Sequence, residues 1–348
     1  MKESGSVSRS ELELFAEEVG PEGPVCIVGG RTHWEVGGLP DPSAREVRAP
    51  SGIVQVLPDE MMVRVRAGTP LRELIIALEE KGQMIPVDVD QQGSPTIGGA
   101  LSVGWSSIRR LRWGPIRDLV LEIRYVNAAG KLIKGGAPVV KNVSGFDLPK
   151  VFVGSLGTLG CLAEVVLRTQ PRPRVAKWIV TEGNPFEIRK QLFRPSSILW
   201  DGIKTWVLLE GSGREVQAEL ACLREHFEEV DAPPHLPKGK RVSLRPSAIK
   251  QYATSLAPSS YVAEIGVGLV HLDSNVQSTP PGMALSPLPP GSIVDPALQD
   301  GGSDTMRTTS TAEPTLGASL PTPTLAVHKR LKDFFDPMGR LNPGRSLL

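Results

Sequence analysis

The amino-acid sequence predicts an α+β protein with two domains. Its 348 residues can form two ordinary domains, and 40% apolar residues are enough for two cores. Short apolar runs rich in β-branched residues and separated by glycine and proline predict strands. Longer runs with apolar residues at helical spacing lie between them and predict helices. Because the two patterns alternate along the chain, a mixed fold is favoured over an all-helical or an all-strand one.

Charge, cysteine content and hydropathy argue against several classes of protein. The chain has 39 Lys and Arg against 38 Asp and Glu, a net charge of +1, so no overall field attracts nucleic acid or an anionic membrane. Cys26, Cys161 and Cys222 are widely spaced, which favours neither a disulfide framework nor a metal site. The first residues are polar, unlike a signal peptide, and no apolar run reaches the ~20 residues of a membrane span. We therefore expect a cytoplasmic protein with no metal and no nucleic-acid partner.

The first predicted domain contains strands, one clear helix and a hairpin. Thr69 can cap the helix, Pro70 can occupy its first position and Gly82 can end it. The hairpin pairs 119–126 with 131–134 through a turn at Asn127–Gly130. The runs that predict strands are Val25–Gly30, Met62–Gly68, Leu119–Val126, Val151–Ser155 and Cys161–Leu167.

A second α+β unit follows a Pro/Arg-rich boundary near residue 172. Its predicted elements are a strand over 204–211, a helix over 212–230 and one strand over 262–272. The helix carries Val216, Leu220, Leu223 and Phe227 at helical spacing.

The segment 273–325 differs in composition from everything before it. It is rich in Pro, Ser, Thr and Gly and lacks aromatic residues and lysine, so we predict that it is a disordered insert. A short helix stopped by Pro337 follows it. The predicted organisation is a first domain over 1–172, a smaller α+β cap over 173–272, the insert over 273–325, and a C-terminal helix and tail over 326–348.

Two glycine-bearing loops are candidate anion sites. One spans Val28–Gly38, and the other spans Pro95–Asp118 and also holds four arginines. Glycine lets backbone N–H groups approach an anion closely, and two such loops can hold the two ends of a dinucleotide. Neither loop has the Gly-x-Gly-x-x-Gly or Gly-x-x-x-x-Gly-Lys-Ser/Thr spacing. From the residues alone, tight turns are an equally good interpretation of each loop taken singly.

The order of motifs resembles a known family. These motifs are VGGRT, VRVRAGTPLREL, KGQMIPVD, PTIGGALSVG, RWGPIRDLVLEIRYVNAAGKLIKGG and SGFDLPKVFVGSLGTLGCLAEVVL, and a further one is DFFDPMGRLNPGR near the C-terminus. In this order they resemble the PCMH-type FAD-binding domain of the vanillyl-alcohol oxidase family, and within it the smaller FAD-binding subunits of glycolate oxidase complexes. The resemblance implies a two-subdomain FAD-binding fold followed by the cap.

The resemblance also implies which residues hold FAD. The first loop would wrap the diphosphate, the second would lie along diphosphate and isoalloxazine, and two further turns would complete the site. The implied residues are Gly29, Gly30, Arg31, Thr32, His33, Pro86, Thr96, Ile97, Gly98, Gly99, Gly104, Trp113, Gly114, Arg117, Asp118, Gly160 and Leu162. We interpret Arg109, Arg110 and Arg112 as a solvated basic loop rather than as direct ligands.

Two positions in the first loop depart from the family pattern. Arg31 stands where the family usually has a third glycine. It either adds a cation for the phosphates or prevents the loop from fitting closely around the FAD diphosphate. Thr32 stands where some relatives attach FAD covalently through histidine, and His33 comes one residue later. We therefore expect non-covalent FAD.

The remaining sequence shows no recognisable catalytic group. The five histidines are scattered, and only His271, at the end of an apolar strand, is a candidate base. The resemblance then implies an FAD-binding oxidoreductase subunit that works with a larger catalytic flavin subunit and an iron–sulfur subunit on a small 2-hydroxy acid. The alternatives are a self-sufficient FAD-dependent 2-hydroxy acid oxidoreductase and a degenerate assembly subunit without the cofactor.

Overall fold

The computed structural model describes residues 10–88, 93–138, 147–276, 307–310 and 322–345. Its first part contains α1 Glu11–Val19, β1 Val25–Ile27, β2 Arg45–Val47, β3 Ile53–Leu57, β4 Met62–Arg66, α2 Leu71–Glu79, β5 Gln83–Met84, α3 Ile97–Val103, α4 Arg110–Trp113, β6 Val120–Val126, β7 Leu132–Gly136, α5 Leu148–Phe152, β8 Cys161–Arg168 and β9 Gln170–Pro171.

A five-stranded antiparallel sheet forms the centre of this part, in the order β3-β4-β8-β6-β7. Strand β8 is central and buried along nearly its whole length. One face of the sheet packs on α2 and α3, with Leu74, Leu101 and Ile123 in that core. The other face packs on α1 through a smaller cluster around Phe15 and Val126. Strands β1 and β2 form a separate parallel pair beside it.

The second part contains β10 Val175–Thr181, α6 Pro185–Gln191, β11 Ser197–Trp200, β12 Thr205–Gly211, α7 Gly213–Cys222, β13 Glu228–Val230, β14 Lys240–Ser243, α8 Ile249–Ala253, β15 Tyr261–Glu264, β16 Leu269–Leu272, β17 Arg307–Ser310 and α9 Thr322–Phe335. Its strands form an eight-stranded antiparallel sheet in the order β13-β10-β12-β11-β15-β16-β14-β17.

The two faces of the eight-stranded sheet differ in chemistry. Alternate strand residues such as Val207, Val242 and Val270 pack with helices α6, α7 and α8 into an apolar core. The residues between them face the other way, because successive strand side chains alternate. Among these are the buried Glu210 and His271, which lie beside the apolar Leu199, Leu208 and Val262, so this second face carries ionisable groups among apolar residues. It meets the α4 region of the first part.

The α+β fold class is confirmed, and so is the hairpin of β6 and β7, whose turn is held by the Asn127 carboxamide accepting from Ala129 and Lys131. The C-terminal helix also ends before Pro337, as predicted.

Four local predictions were wrong. Thr69 does not cap α2, because its hydroxyl bonds to the backbone of Gly52, and the helix begins at Leu71. The helix predicted over 212–230 ends at Cys222, since Glu228–Val230 instead pairs with β10 as an edge strand. The strand predicted over 262–272 is a hairpin, whose turn contains Gly266 and Gly268 at φ 82° and 96°. The strand predicted over 151–155 is the end of α5 and a turn.

The predicted disorder of 273–325 lies mostly outside the described residues. Where the structure describes this segment, Arg307–Ser310 form β17, which pairs with β14 at the sheet edge, and α9 begins at Thr322. The composition of 273–325 did not by itself predict the strand at 307–310 or the start of α9. In the part of the chain that the structure describes, none of the helices is long and apolar enough to cross a membrane.

Candidate functional site

A cleft of about 1000 Å³, measured with its solvent-open part, lies against the first part of the chain. The loop after β1 and the start of α3 form its walls, and the C-terminal tail closes one end. Of the residues implied by the family resemblance, those lining the cleft are Gly29, Gly30, Arg31, Thr32, His33, Thr96, Gly98, Gly99 and Leu162.

The loop after β1 offers hydrogen-bond donors to the cleft. Among the described residues, none accepts from the backbone N–H groups of Gly29, Gly30, Arg31 and Thr32. Side chains are not tolerated at the two glycines, because a Cβ on Gly30 would lie 1.8 Å from the Ser94 carbonyl oxygen and one on Gly29 2.5 Å from Thr96 Oγ1. Successive free N–H groups in a turn bind anions such as a diphosphate.

Arg31 adopts the backbone conformation that glycine would provide at this position. Its φ is 55°, in the left-handed region. Its guanidinium is paired with Glu46 at 2.5 Å and lies 4.7 Å from the centre of the Trp34 ring, so the side chain is held by the protein itself. Arg31 thus keeps the loop conformation without a third glycine.

Helix α3 supplies the opposite wall but few free donors. Thr96 caps it by accepting from Gly99 N–H at 3.1 Å, and Gly98 N–H donates to the Ala67 carbonyl at 2.8 Å. Gly98 is buried, and a Cβ there would meet that same oxygen at 2.8 Å. Gly99 is half-buried and has only Thr96 Oγ1 nearby. Gly98 therefore serves packing, whereas Gly99 gives the cleft a bare surface.

Aromatic rings line the end of the cleft that faces the second sheet. The rings of His33 and Trp105 lie 4.4 Å apart, and His33 Nδ1 lies 3.2 Å from Thr32 Oγ1. Flat aromatic rings beside a polar loop suit a ligand with a charged end and a planar end.

Eight of the implied residues lie away from the cleft lining: Pro86, Ile97, Gly104, Trp113, Gly114, Arg117, Asp118 and Gly160. Ile97 belongs to the core, and Gly104 ends α3 at φ 72°. Gly160 packs against rings, since a Cβ there would lie 2.6 Å from Tyr125.

The element Trp113–Asp118 joins the two parts of the chain rather than lining the cleft. Trp113 Nε1 lies 3.4 Å from Glu210 of the second sheet, and Gly114 ends α4 at φ 75°. Arg117 and Asp118 lie 3.8 Å apart.

Arg109 and Arg112, which precede Trp113, are paired with other residues rather than freely solvated, contrary to expectation. Arg109 bonds to Asp88 at 2.6 Å and to Glu210 at 3.0 Å, while Arg112 donates to the backbone oxygen of Glu210. Burial disfavours the charge of Arg109, but the carboxylates of Asp88 and Glu210 outweigh it and raise the pKa of this guanidinium. Since Asp88 lines the cleft, Arg109 couples the cleft to the second sheet.

The implied set omits several lining residues, among them the polar or aromatic Trp34, Asp88, Trp105, Asn342 and Arg345. Asp88 ends the motif KGQMIPVD, whereas Trp34 and Trp105 follow the motifs VGGRT and PTIGGALSVG by one or two residues, and nothing in their type marks them as site residues. Asn342 and Arg345 could have been found from the sequence, because they lie in LNPGR, the C-terminal stretch where the family resemblance resumes. Arg345 donates to the Trp34 carbonyl at 2.7 Å and lies 4.5 Å from its ring, so the tail orders the first loop.

The chain is similar to several known proteins. Residues 21–136 match the family model described as FAD binding domain. The chain is 29% identical over 357 residues to glycolate oxidase subunit GlcE of Escherichia coli (strain K12), which covers 97% of each protein. It is 33% identical over 128 residues to glycolate oxidase subunit GlcD of Bacillus subtilis (strain 168), which covers 37% of this chain and 27% of GlcD. Alkyldihydroxyacetonephosphate synthase, a solved structure, is similar in fold with a TM-score of 0.60 at 13% identity, covering 95% of this chain and 73% of the other.

Proposed function

We propose that the chain is the FAD-binding subunit of a glycolate oxidase-like complex in the cytoplasm, because residues 21–136 match the family model described as FAD binding domain. Similarity to GlcE along 97% of both chains supports the subunit assignment. Free thiols at Cys26, Cys161 and Cys222 agree with a reducing compartment. In this proposal the flavin domain extends to residue 172 and the cap follows it.

The observation that carries the proposal is the row of unclaimed donors in the first loop. A diphosphate is dianionic and accepts several hydrogen bonds, and the N–H groups of Gly29–Thr32 have no acceptor among the described residues. These N–H groups would bind the FAD diphosphate, and Gly99 would let it approach α3. His33 and Trp105 would form an aromatic wall for the planar end. The bound flavin would supply two-electron redox chemistry; the residues of this chain bind it and exclude water from it.

FAD is held non-covalently in this proposal, because Thr32 occupies the family's attachment position. His33, a possible nucleophile, lines the same cleft, so non-covalent binding has to be tested by experiment. Acid precipitation of the purified yellow protein is expected to release all flavin into the supernatant. Flavin retained in the pellet would contradict non-covalent binding. A colourless protein that cannot be reconstituted with FAD would instead favour the degenerate subunit.

The partners in this proposal are a larger catalytic flavin subunit and an iron–sulfur subunit, with a small 2-hydroxy acid as substrate of the whole complex. Purification from the native cell through a tag on this chain is expected to bring down both. The isolated chain is expected not to reduce a dye with glycolate or lactate.

A self-sufficient oxidoreductase is the second candidate, and one observation favours it. The buried His271 lies 2.7 Å from Glu264 on the face of the second sheet that meets the flavin domain. A histidine oriented by a carboxylate is a suitable general base. Turnover of glycolate or lactate by the partner-free chain would establish this candidate over the first.

A further inference from the structure

Asp88 places a carboxylate on the wall of the cleft proposed to hold FAD. Its Oδ2 accepts from Ser107 Oγ at 2.7 Å and from the backbone N–H of Ile108 at 3.0 Å. Its Oδ1 accepts from Arg109 Nη1 at 2.6 Å. Three successive residues that closely follow Trp105 are therefore bonded to this one carboxylate, which fixes its position on the wall.

The Arg109 guanidinium lies between Asp88 and a second carboxylate, that of Glu210 in the second sheet. Arg109 Nε lies 3.0 Å from Glu210 Oε1, and the Glu210 side chain is only 2% exposed. Glu210 also accepts from Arg112 through its backbone oxygen and from Trp113 Nε1 at 3.4 Å. The second sheet thus holds in place the cation that faces Asp88.

The charges of Asp88 and Arg109 cancel each other at the cleft wall. Among the ion pairs of the described residues, the one that involves Asp88 is its pair with Arg109. Glu210 has a further cation beside it, since burial lowers the pKa of the Arg112 guanidinium and the Glu210 carboxylate opposes this shift. Loss of the Arg109 charge would therefore leave the Asp88 carboxylate unbalanced.

An unbalanced charge at this position would act on a bound flavin. Charges near the ring system of a flavin tune its electronic properties, and a negative charge makes the ring harder to reduce. Asp88 bonds to residues that closely follow Trp105, and Trp105 belongs to the aromatic wall proposed for the planar end of FAD. The side chains of Asp88 and Arg109 are 34% and 31% exposed, so water screens their charges only in part.

From these contacts we propose that Asp88 and Arg109 form a charge pair that sets the reduction potential of the FAD bound in this cleft. The Asp88 carboxylate holds the residues after Trp105 in place, but by itself it would disfavour reduction of the flavin. The Arg109 cation, held by Glu210, cancels that effect. The inference rests on the proposed function, because it requires FAD in the cleft.

The test is the midpoint potential of the bound flavin. The purified yellow chain is equilibrated, without oxygen, with a reference dye of known potential, so neither substrate nor partner subunit is needed. Arg109→Gln removes the cation and should disfavour reduction by about tenfold, which lowers the potential of a two-electron couple by about 30 mV. Asp88→Asn removes the anion and should raise the potential by a similar amount.

The double variant Asp88→Asn/Arg109→Gln separates a charge pair from a purely structural role. Because both charges are removed, its potential should be close to that of the wild type, whereas structural damage from two substitutions would accumulate. Arg109→Lys keeps the cation and should also stay close to the wild type. The matched control is Arg172→Gln, which removes an exposed arginine paired with Glu79 outside the cleft lining and should not change the potential.

Shifts of the two single variants in the same direction would overturn the proposal, and so would potentials equal to that of the wild type in folded, flavin-loaded variants. Circular dichroism shows whether each variant is folded. If Arg109→Gln does not fold, Asp88→Asn is compared with Asp88→Glu, which keeps the charge and should keep the potential near that of the wild type.

FAD content is measured on the same samples, so the two proposals can be told apart. A wild-type chain that holds FAD, with variants that show no opposite shifts, contradicts this inference and leaves the flavin-subunit proposal standing. A folded wild-type chain that cannot be loaded with FAD contradicts both.

Discussion

Asn342 Oδ1 accepts the backbone N–H of Ile27 at 2.8 Å, although the two residues are 315 positions apart in the chain. The same carboxamide donates through Nδ2 to the Leu156 carbonyl at 2.6 Å. Both partners line the cleft. One side chain near the C-terminus therefore joins the strand that leads into the first glycine loop to the turn before β8.

Replacement of Asn342 is expected to weaken both the fold and FAD binding. Asn342→Ala leaves the Ile27 N–H and the Leu156 oxygen unpaired, at about 1–3 kcal/mol each before any rearrangement. Asn342 also has φ 45°, so alanine adds backbone strain of about 1 kcal/mol that Asn342→Gly avoids. Urea unfolding should rank wild type above the glycine variant and the glycine variant above the alanine variant. A glycine variant with wild-type stability and FAD affinity would show that the two bonds are unimportant.

Arg31→Gly is expected to be tolerated, since it restores the residue type that φ 55° favours. The ion pair lost with Glu46 joins two side chains that are 46% and 51% exposed, and such pairs contribute about 0–1 kcal/mol. Arg31→Ala loses the same pair but keeps the strain, so it should be less stable than Arg31→Gly by about 1 kcal/mol. Denaturant unfolding of both variants measures the difference. Equal stabilities would mean that the loop relaxes, and loss of FAD in the glycine variant would assign the Arg31 guanidinium to the phosphates.

Gly99→Val is expected to abolish FAD binding in a folded protein. The substituted side chain would project from half-buried backbone into the cleft, where only Thr96 Oγ1 lies nearby, at 3.1 Å. Gly98→Val is the contrasting variant, because its side chain would strike the Ala67 carbonyl and should destabilise the whole domain. Circular dichroism and FAD titration separate the two outcomes. Full flavin occupancy of Gly99→Val would identify its turn as purely structural.

Acid sensitivity should arise partly from Glu122, on the face of the first sheet that packs on α1. Burial favours the neutral acid, but a hydrogen bond from Arg64 and the ion pair with Lys134 hold the pKa of Glu122 below its usual 4.5. A lowered folded pKa stabilises the protein above pH 4.5, and that contribution is lost as the pH falls through the folded value. Glu122→Gln should lower stability at pH 7 and flatten its acid dependence.

The control for this experiment is Glu187→Gln, which breaks an exposed pair with Lys190 and should change neither the stability nor its slope. Free energies of unfolding measured from about pH 7 down to about pH 3 compare the acid dependence of the two variants with that of the wild type. An unchanged slope in Glu122→Gln would assign the acid sensitivity to other carboxylates.

Local patterns determined the elements whose stability is local. The hairpin of β6 and β7 followed from its turn residues, and the glycine loops followed from their composition. The helix predicted over 212–230 was too long because its last residues are stabilised by a distant strand. Val230 and its neighbours gain more by pairing with β10 than by continuing the helix. A partner that is distant in the sequence does not change the local periodicity from which the helix was predicted.

The sequence by itself determined the α+β class, the two glycine loops and the family resemblance that points to FAD, because these depend on residue type and on order along the chain. Only the tertiary structure decided which of those residues line the cleft. It brought Asn342 to Ile27, placed Arg109 between Asp88 and Glu210, and set Arg241 beside His271 and Trp105. The role of a side chain depends on the groups that it contacts. In this chain those groups belong to distant strands and to the C-terminal tail. Their distances are fixed by strand register and by tertiary packing, not by spacing along the sequence.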